Sequence, residues 1–295
     1  MPLITDTMMY NNARNSVMYS QVRLSDATRR ASTGMRVANA GDDPAAAEQT
    51  TLLDANLEQL RAMKAASDRT SSTFENSTRD LQDVQTALTR ATELAVQGAN
   101  GTYTAADRTA IAAEVQSLHD TVLAIANKQD EMGQYVYAGF KTTTLPFTAA
   151  GVYSGDSNVR RVEVAPNIQV GANLPGSQVF NLAGGVNVLG VLQTLQTALA
   201  ANNPAGAQAS LDDLTAATNQ VATAQTVVGA QEVLLNNATN TRTTNETSLR
   251  NTRQAVIELD SPLAYSDLIE AEAAYQAAIT ESSRILKSLR DGLNI

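Results

Sequence analysis

The only imidazole in the chain belongs to His119, which sits among Leu118, Val122 and Ile125 at helical spacing. There is no cysteine and no second histidine, so a nucleophile–base pair and any histidine-pair or thiolate metal site are excluded. Two carboxylate pairs, Asp42-Asp43 and Asp212-Asp213, could share a proton or hold a cation. Each lies at a predicted helix start, where capping and the helix dipole account for it, and the further oxygen ligands that calcium needs are absent at loop spacing. Residues Gly133 to Lys141 have the glycines of a phosphate loop, but Phe140 follows Gly139, so the Gly-Lys-Ser/Thr step is missing. No catalytic residue, metal ligand or cofactor site is expected, and an enzyme is not. One basic group, Arg23, Arg29, Arg30 and Arg36, has two readings: a solvated face, or a contact with the acidic face of another copy.

The elements that carry these residues are mostly helical. The chain has 295 residues, 21 Lys and Arg against 30 Asp and Glu, a net charge of −9, and only 4% aromatic residues with no Trp. Much of its 43% hydrophobic content is alanine, which favours helix and buries little area, so long thin helical packing is expected over a thick core. The acidic balance disfavours nucleic acid as a partner. No apolar run is long enough to span a membrane, and the first residues, Met1 to Thr7, show no cleaved secretory signal.

Helix is expected over about 5–33, with Gly34 and Gly41 marking its end and Asp43-Pro44 restarting it. A long helix follows from Ala45 to about Gln97. After the turn at Gly98–Gly101, Thr104-Ala-Ala-Asp107 reads as a capping box opening a third helix, so these two form an antiparallel hairpin. Short β-rich runs occupy Tyr135-Val136-Tyr137, Val152-Tyr153, Val159 to Val164, Ile168 to Val170 and Val179-Phe180, separated by Gly and Pro. Helix resumes over about 188–200, 204–259 and 261–293. The stretch 236–253 is poor in apolar residues and must lean on its neighbours.

The two ends form a pair. Leu3, Tyr10, Val17 and Leu24 recur every seven residues, as do Leu268, Tyr275, Ser282 and Leu289, with Ile279, Leu286 and Leu293 as a parallel seam. Sevenfold spacing puts each set on one helix face and favours coiled-coil packing. The companion positions Asp6, Ala13, Ser20 and Ala27 are weak, which suggests that the ends need each other and further copies before they order. An ordinary intramolecular bundle is the other reading. The expected fold is mainly α: an elongated antiparallel helical bundle or coiled-coil rod, both termini at one end, with a small β-rich insertion mid-chain. The expected parts are residues 1–43 with 260–295 as terminal assembly segments, partly disordered in the monomer; 44–134 with 188–259 as a helical rod; and 135–187 as the β-rich part.

Several motifs carry a family resemblance. Ser32 to Ala47, with Gly34 and then Asp42-Asp43-Pro44-Ala45, resembles the N-terminal motif of flagellins and their relatives. The run from Gly133 through Tyr135, Tyr137 and Gly139 to Phe147 resembles the segment that sets the hook–filament junction proteins apart from flagellin itself. Tyr153 to Ser157 is similar to the β region of those proteins, and Ala264 to Glu272 to their C-terminal helix. Pro44-Ala-Ala-Ala47, where flagellins usually carry Ala-Ala-Gly-Leu after the acidic pair, favours the junction side.

The resemblance implies a structural protein exported unfolded through the flagellar type III apparatus. It would assemble as a ring outside the cell, at the hook–filament junction. The implied partners are other copies of itself, the first hook-associated protein, flagellin and an export chaperone. A flagellin filament subunit is the nearest alternative, and a secreted coiled-coil translocator or adhesin is a more distant one.

Overall fold

The computed structural model describes residues 2–292, with side chains described over 7–288. The described elements, in chain order, are α1 (Pro2–Thr33), α2 (Pro44–Ala99), α3 (Ala105–Ala126), β1 (Arg161–Ala165), β2 (Ile168–Gly171), α4 (Gly176–Val179), α5 (Val188–Ala200), α6 (Pro204–Ile257) and α7 (Ser261–Gly292). The chain is mainly α, as its composition implies. It divides into two compact units, residues 1–58 with 246–295 and residues 59–245.

In the first unit α1 and α7 pack along each other. Met35, just past α1, pairs antiparallel with Glu258, just before α7, so the N-terminal end of α1 lies beside the C-terminal end of α7. The termination of α1 follows from Gly34. At φ +66° it adopts the left-handed conformation that closes a helix, and its N–H returns to Arg30 O at 2.9 Å. Asp43 then opens α2 by accepting the Ala46 N–H at 3.0 Å, with Pro44 in the first helical position, where its missing donor costs nothing. Further along, Arg253 of α6 forks onto Asp54 of α2 at 2.5 and 3.3 Å.

In the second unit α2 and α6 run antiparallel, tied by Ser67 Oγ to Thr239 Oγ1 at 3.2 Å and Thr78 Oγ1 to Glu232 at 3.4 Å. The predicted capping box opens α3. Thr104 Oγ1 accepts the Asp107 N–H, and the Asp107 carboxylate accepts the Thr104 N–H at 2.9 Å. Arg108 is buried and donates to Gly98 O, Asn100 O and Asn202 Oδ1 at 2.7–2.8 Å, pinning the α2–α3 turn to the α5–α6 turn. Leu81, Val84 and Leu88 of α2, Val122 of α3, Leu189, Leu192 and Leu195 of α5 and Leu214 and Val221 of α6 form the fully enclosed centre.

The region of changed periodicity holds one antiparallel hairpin, β1–β2, in register Val162 to Val170 and turned at Pro166-Asn167. Half-buried Val162 and buried Val164 alternate with exposed Arg161 and Glu163, as in a strand wet on one face. The other β-rich runs differ from expectation. Tyr135 and Tyr153 make only single bridges, to Gln129 and Phe147, and Val179 ends the short helix α4. Side chains take the place of a ladder: Asn127 both accepts the Phe147 N–H and donates to Phe147 O at 2.9 Å, and Asp156 accepts the N–H groups of Phe140 and Asn158. These loops close over an aromatic centre of Tyr137, Phe147 and Phe180, with edge-on ring centroids 5.4–5.5 Å apart.

The apolar-poor stretch of α6 is helical. Thr241, Thr244 and Thr252 return their hydroxyls to the carbonyls four residues back, and Arg250 pairs with Glu246 one turn away. Arg242 is buried there at 3% exposure, and its Nε and Nη1 have no hydrogen-bond partner among the described residues.

Candidate assembly site

In the first unit, small side chains occupy the seam between the two terminal helices. Ala13, Ser20, Ala264 and Ala271 are its buried residues, flanked by half-buried Val17, Leu24, Leu268 and Tyr275. The large apolar side chains lie mostly outside it. Met8, Met9, Tyr10, Met18, Tyr19 and Val22 of α1 are 45–68% exposed, and Leu263, Tyr265, Ile269, Ile279 and Leu286 of α7 are 44–66% exposed. Of the proposed heptad residues, Tyr10, Ile279 and Leu286 therefore face solvent, whereas Val17, Leu24, Leu268 and Tyr275 flank the internal seam. The side chains of Leu3 and Leu289, and residue Leu293, lie outside the described residues.

The sevenfold spacing gave no hint of Met18, Tyr19, Val22, Tyr265 or Ile269. Their signal is a second apolar stripe at i, i+4, in Met18–Val22 and Tyr265–Ile269. An exposed apolar face this large on one helix pair marks an interaction surface.

The 34–43 loop is locked to the α6–α7 joint. Arg36 N–H donates to Ile257 O at 2.8 Å, Leu259 N–H donates to Gly34 O at 3.0 Å, and Arg36 Nη2 reaches Val256 O. Inside the loop Asp42 accepts the N–H groups of Ala38 and Asn39 and a two-pronged contact from Arg29 at 3.0 and 3.2 Å. The Arg29 guanidinium, with those two amides, holds the Asp42 carboxyl far below the usual carboxylate range. Asp43 is also lowered, by the Ala46 amide and by Arg36 at 2.8 Å. Arg29 and Arg36 thus meet carboxylates of their own chain, a third outcome beside the two that the sequence left open. Arg23 and Arg30 line a 230 Å³ pocket with Asp26, Ala264 and Asp267.

In the second unit the Gly133–Phe147 segment is organised by Tyr137. Its buried hydroxyl donates to Asp80 at 3.1 Å, and burial and that carboxylate push the phenol well above its ordinary value. Asp80 also meets Lys128 Nζ at 2.6 Å. The Tyr137 carbonyl accepts from Tyr153 Oη at 3.0 Å and from the Gly176 N–H at 2.8 Å. Gly139 has φ +71°, and a Cβ there would collide with Asp156. Gly133 and Tyr135 shape the turn ahead of it, Tyr135 donating its N–H to Thr142 O.

His119 is buried, with Nδ1 3.2 Å from Asp120 and no partner for Nε2 among the described residues. No group of three or more His, Asp or Glu among the described residues could hold a metal ion, and no described helix is long and apolar enough to cross a membrane.

The two terminal helices thus bury small residues between themselves and present large apolar ones outward. Residues 4–142 match the bacterial flagellin N-terminal helical region. The chain is 34% identical over 183 residues to flagellar hook-associated protein 3 of Salmonella typhimurium, covering 60% of this chain and 56% of that one. It is also 34% identical over 179 residues to the Escherichia coli protein of the same name, covering 59% and 55%. The chain therefore spans a little over half the length of these relatives. Its fold is similar to a putative flagellar hook-associated protein from Vibrio parahaemolyticus, with TM-score 0.69 and 24% identity over 74% of this chain and 100% of that one. The chain is thus similar in sequence to flagellar hook-associated protein 3 over about 60% of its length, and to the flagellin N-terminal region over residues 4–142, in line with the resemblance its motifs carry.

Proposed function

We propose that this chain is a structural subunit of the bacterial flagellum that joins the hook to the flagellin filament, with no catalytic role. The supporting observation is the outward apolar face of α1 and α7. Stacked against copies of itself, against the first hook-associated protein below and against flagellin above, each large side chain on that face gains roughly 1.5–3 kcal/mol when fully buried. Ordering a backbone residue costs about 1–2 kcal/mol, so a thin helix pair gains little alone and much in an array. The terminal segments 1–43 and 260–295 are the assembly region of this proposal, partly disordered in the free subunit. That keeps the subunit exportable through the flagellar type III apparatus, with a chaperone covering the apolar face beforehand, and assembly takes place outside the cell. Residues 44–134 with 188–259 form the supporting rod, and 135–187 the loop-rich part beside it.

The 34% identity to hook-associated protein 3 and the Gly133–Phe147 motif favour the junction over the filament proper. A strain lacking the gene tests the proposal. Flagella ending at bare hooks, with flagellin spilled into the medium, is the expected result. A deletion strain with normal filaments overturns it, and long filaments formed by the purified chain alone would assign it to the filament.

A further inference from the structure

Resting on the proposal that this chain assembles with copies of itself, we infer that the 130–134 turn of one copy seats in a groove beside the β1–β2 hairpin of the next. Met132 is the inserting side chain, and Glu131 meets Arg160 and Arg161. Met132 is 81% exposed, more than any other large apolar side chain described. It is held there by a rigid turn. Asp130 Oδ1 accepts the N–H groups of Met132 and Gln134, both at 2.9 Å, and the Asp130 N–H donates to Gln134 O at 2.8 Å. Gly133, at φ +74°, returns its N–H to Asp130 O at 3.0 Å. A turn fixed in this way has already lost the freedom that docking would otherwise remove.

The receiving groove has a volume of 370 Å³ and is lined in part by Phe74, Val159, Leu174, Val227, Leu234 and Arg161. Val159, Val227 and Leu234 are 37–44% exposed, so apolar surface stands open beside a cation. Methionine, unbranched and polarizable, fits such an irregular opening. The charges match as well. Arg160 and Arg161 are exposed and make no ion pair among the described residues, and the same holds for Glu131, next to Met132. On a chain of net charge −9, two neighbouring unpaired arginines beside an apolar opening select an acidic, apolar partner.

Both halves of the match lie on one chain, at different places, so the contact is head-to-tail. It propagates through a ring or helical array and does not stop at a dimer. One side chain and its neighbouring charges are too few to hold free copies together, so purified protein stays monomeric and the contact acts only where other contacts hold the copies close.

The chain lacks cysteine, so introduced thiols are the only ones present. The bacterium should produce the double variant Met132→Cys/Leu234→Cys, and its isolated flagella should be oxidised and run on a non-reducing gel. A ladder of dimers and higher species is expected from the double variant. None is expected from either single variant, nor from Met132→Cys combined with Val96→Cys on another exposed face. Glu131→Arg should cut the amount of subunit in flagella at least severalfold, and Arg160→Glu/Arg161→Glu in the same chain should restore it. Normal amounts of variant in flagella without a ladder, or no rescue by the reversed charges, overturns the inference and leaves the junction role standing. Absence of the unaltered chain from flagella removes the junction role and this inference with it.

Discussion

The Tyr137 hydroxyl donates to Asp80 at 3.1 Å, joining residues 57 positions apart in the chain. Asp80 is 4% exposed and also holds Lys128, so one carboxylate fixes both the end of α3 and the motif loop to α2. Removing one partner of a buried carboxylate leaves it under-satisfied. Tyr137→Phe is expected to lower unfolding stability by ~1–3 kcal/mol in urea titration of the purified chain. Asp80→Ala, which strands both the phenol and the ammonium, should cost more than Tyr137→Phe. Equal stability of Tyr137→Phe and the unaltered chain would remove the anchoring role.

Asp42 and Asp43 set an acid limit on the 34–43 loop. Both carboxyls titrate below their ordinary value near 3.8 in the folded chain, so their contribution is fully present above that value. It is lost progressively as pH falls below about 4, through the lowered folded values. Hydrogen exchange at the Ala38 and Asn39 amides, corrected for intrinsic rate, should accelerate in that range. Asp42→Asn should exchange fast at every pH, with the acid dependence at those two amides flattened.

Two glycines with similar φ should respond differently to alanine. Gly34, at φ +66°, has no atom within 4 Å of where a Cβ would stand, so Gly34→Ala carries only backbone strain, about 1–2 kcal/mol. Gly139→Ala adds a collision with the Asp156 backbone and should cost clearly more, as read from thermal melts of the two variants.

Arg242 is a buried cation whose Nε and Nη1 find no acceptor among the described residues. An apolar side chain of similar length removes that desolvation penalty while keeping the packing of the stem. Arg242→Met is expected to raise stability by roughly 1–3 kcal/mol in urea titration. A loss instead would mean that the guanidinium has a partner in solution.

The outward face of the terminal helices can be tested without disturbing the subunit. Tyr19→Asp, Val22→Asp and Ile269→Asp change side chains that are 61–68% exposed, so circular dichroism and melting of the monomer should stay as they are. The same three changes together should abolish incorporation into flagella and swimming. Normal motility would place the assembly face elsewhere.

Local rules were enough for the helices. Gly34, Asp43-Pro44 and Thr104 with Asp107 each act within a few residues, so the boundaries they mark stand in the sequence as they do in the fold. The Gly and Pro of 133–187 announced a break in helix. They did not show that only Arg161–Ala165 and Ile168–Gly171 would pair as strands, because a ladder needs a partner that spacing does not name.

The seven-residue spacing of the ends likewise showed that α1 and α7 have apolar faces, but not which would be used inside. That choice depends on how closely two helices approach. Ala13, Ser20, Ala264 and Ala271 permit a tight seam, which leaves Met18, Tyr19, Val22 and Ile269 in water. Arg29 with Asp42, and Asp80 with Tyr137, also waited on the fold, since a charge finds its partner by distance in space and not along the chain.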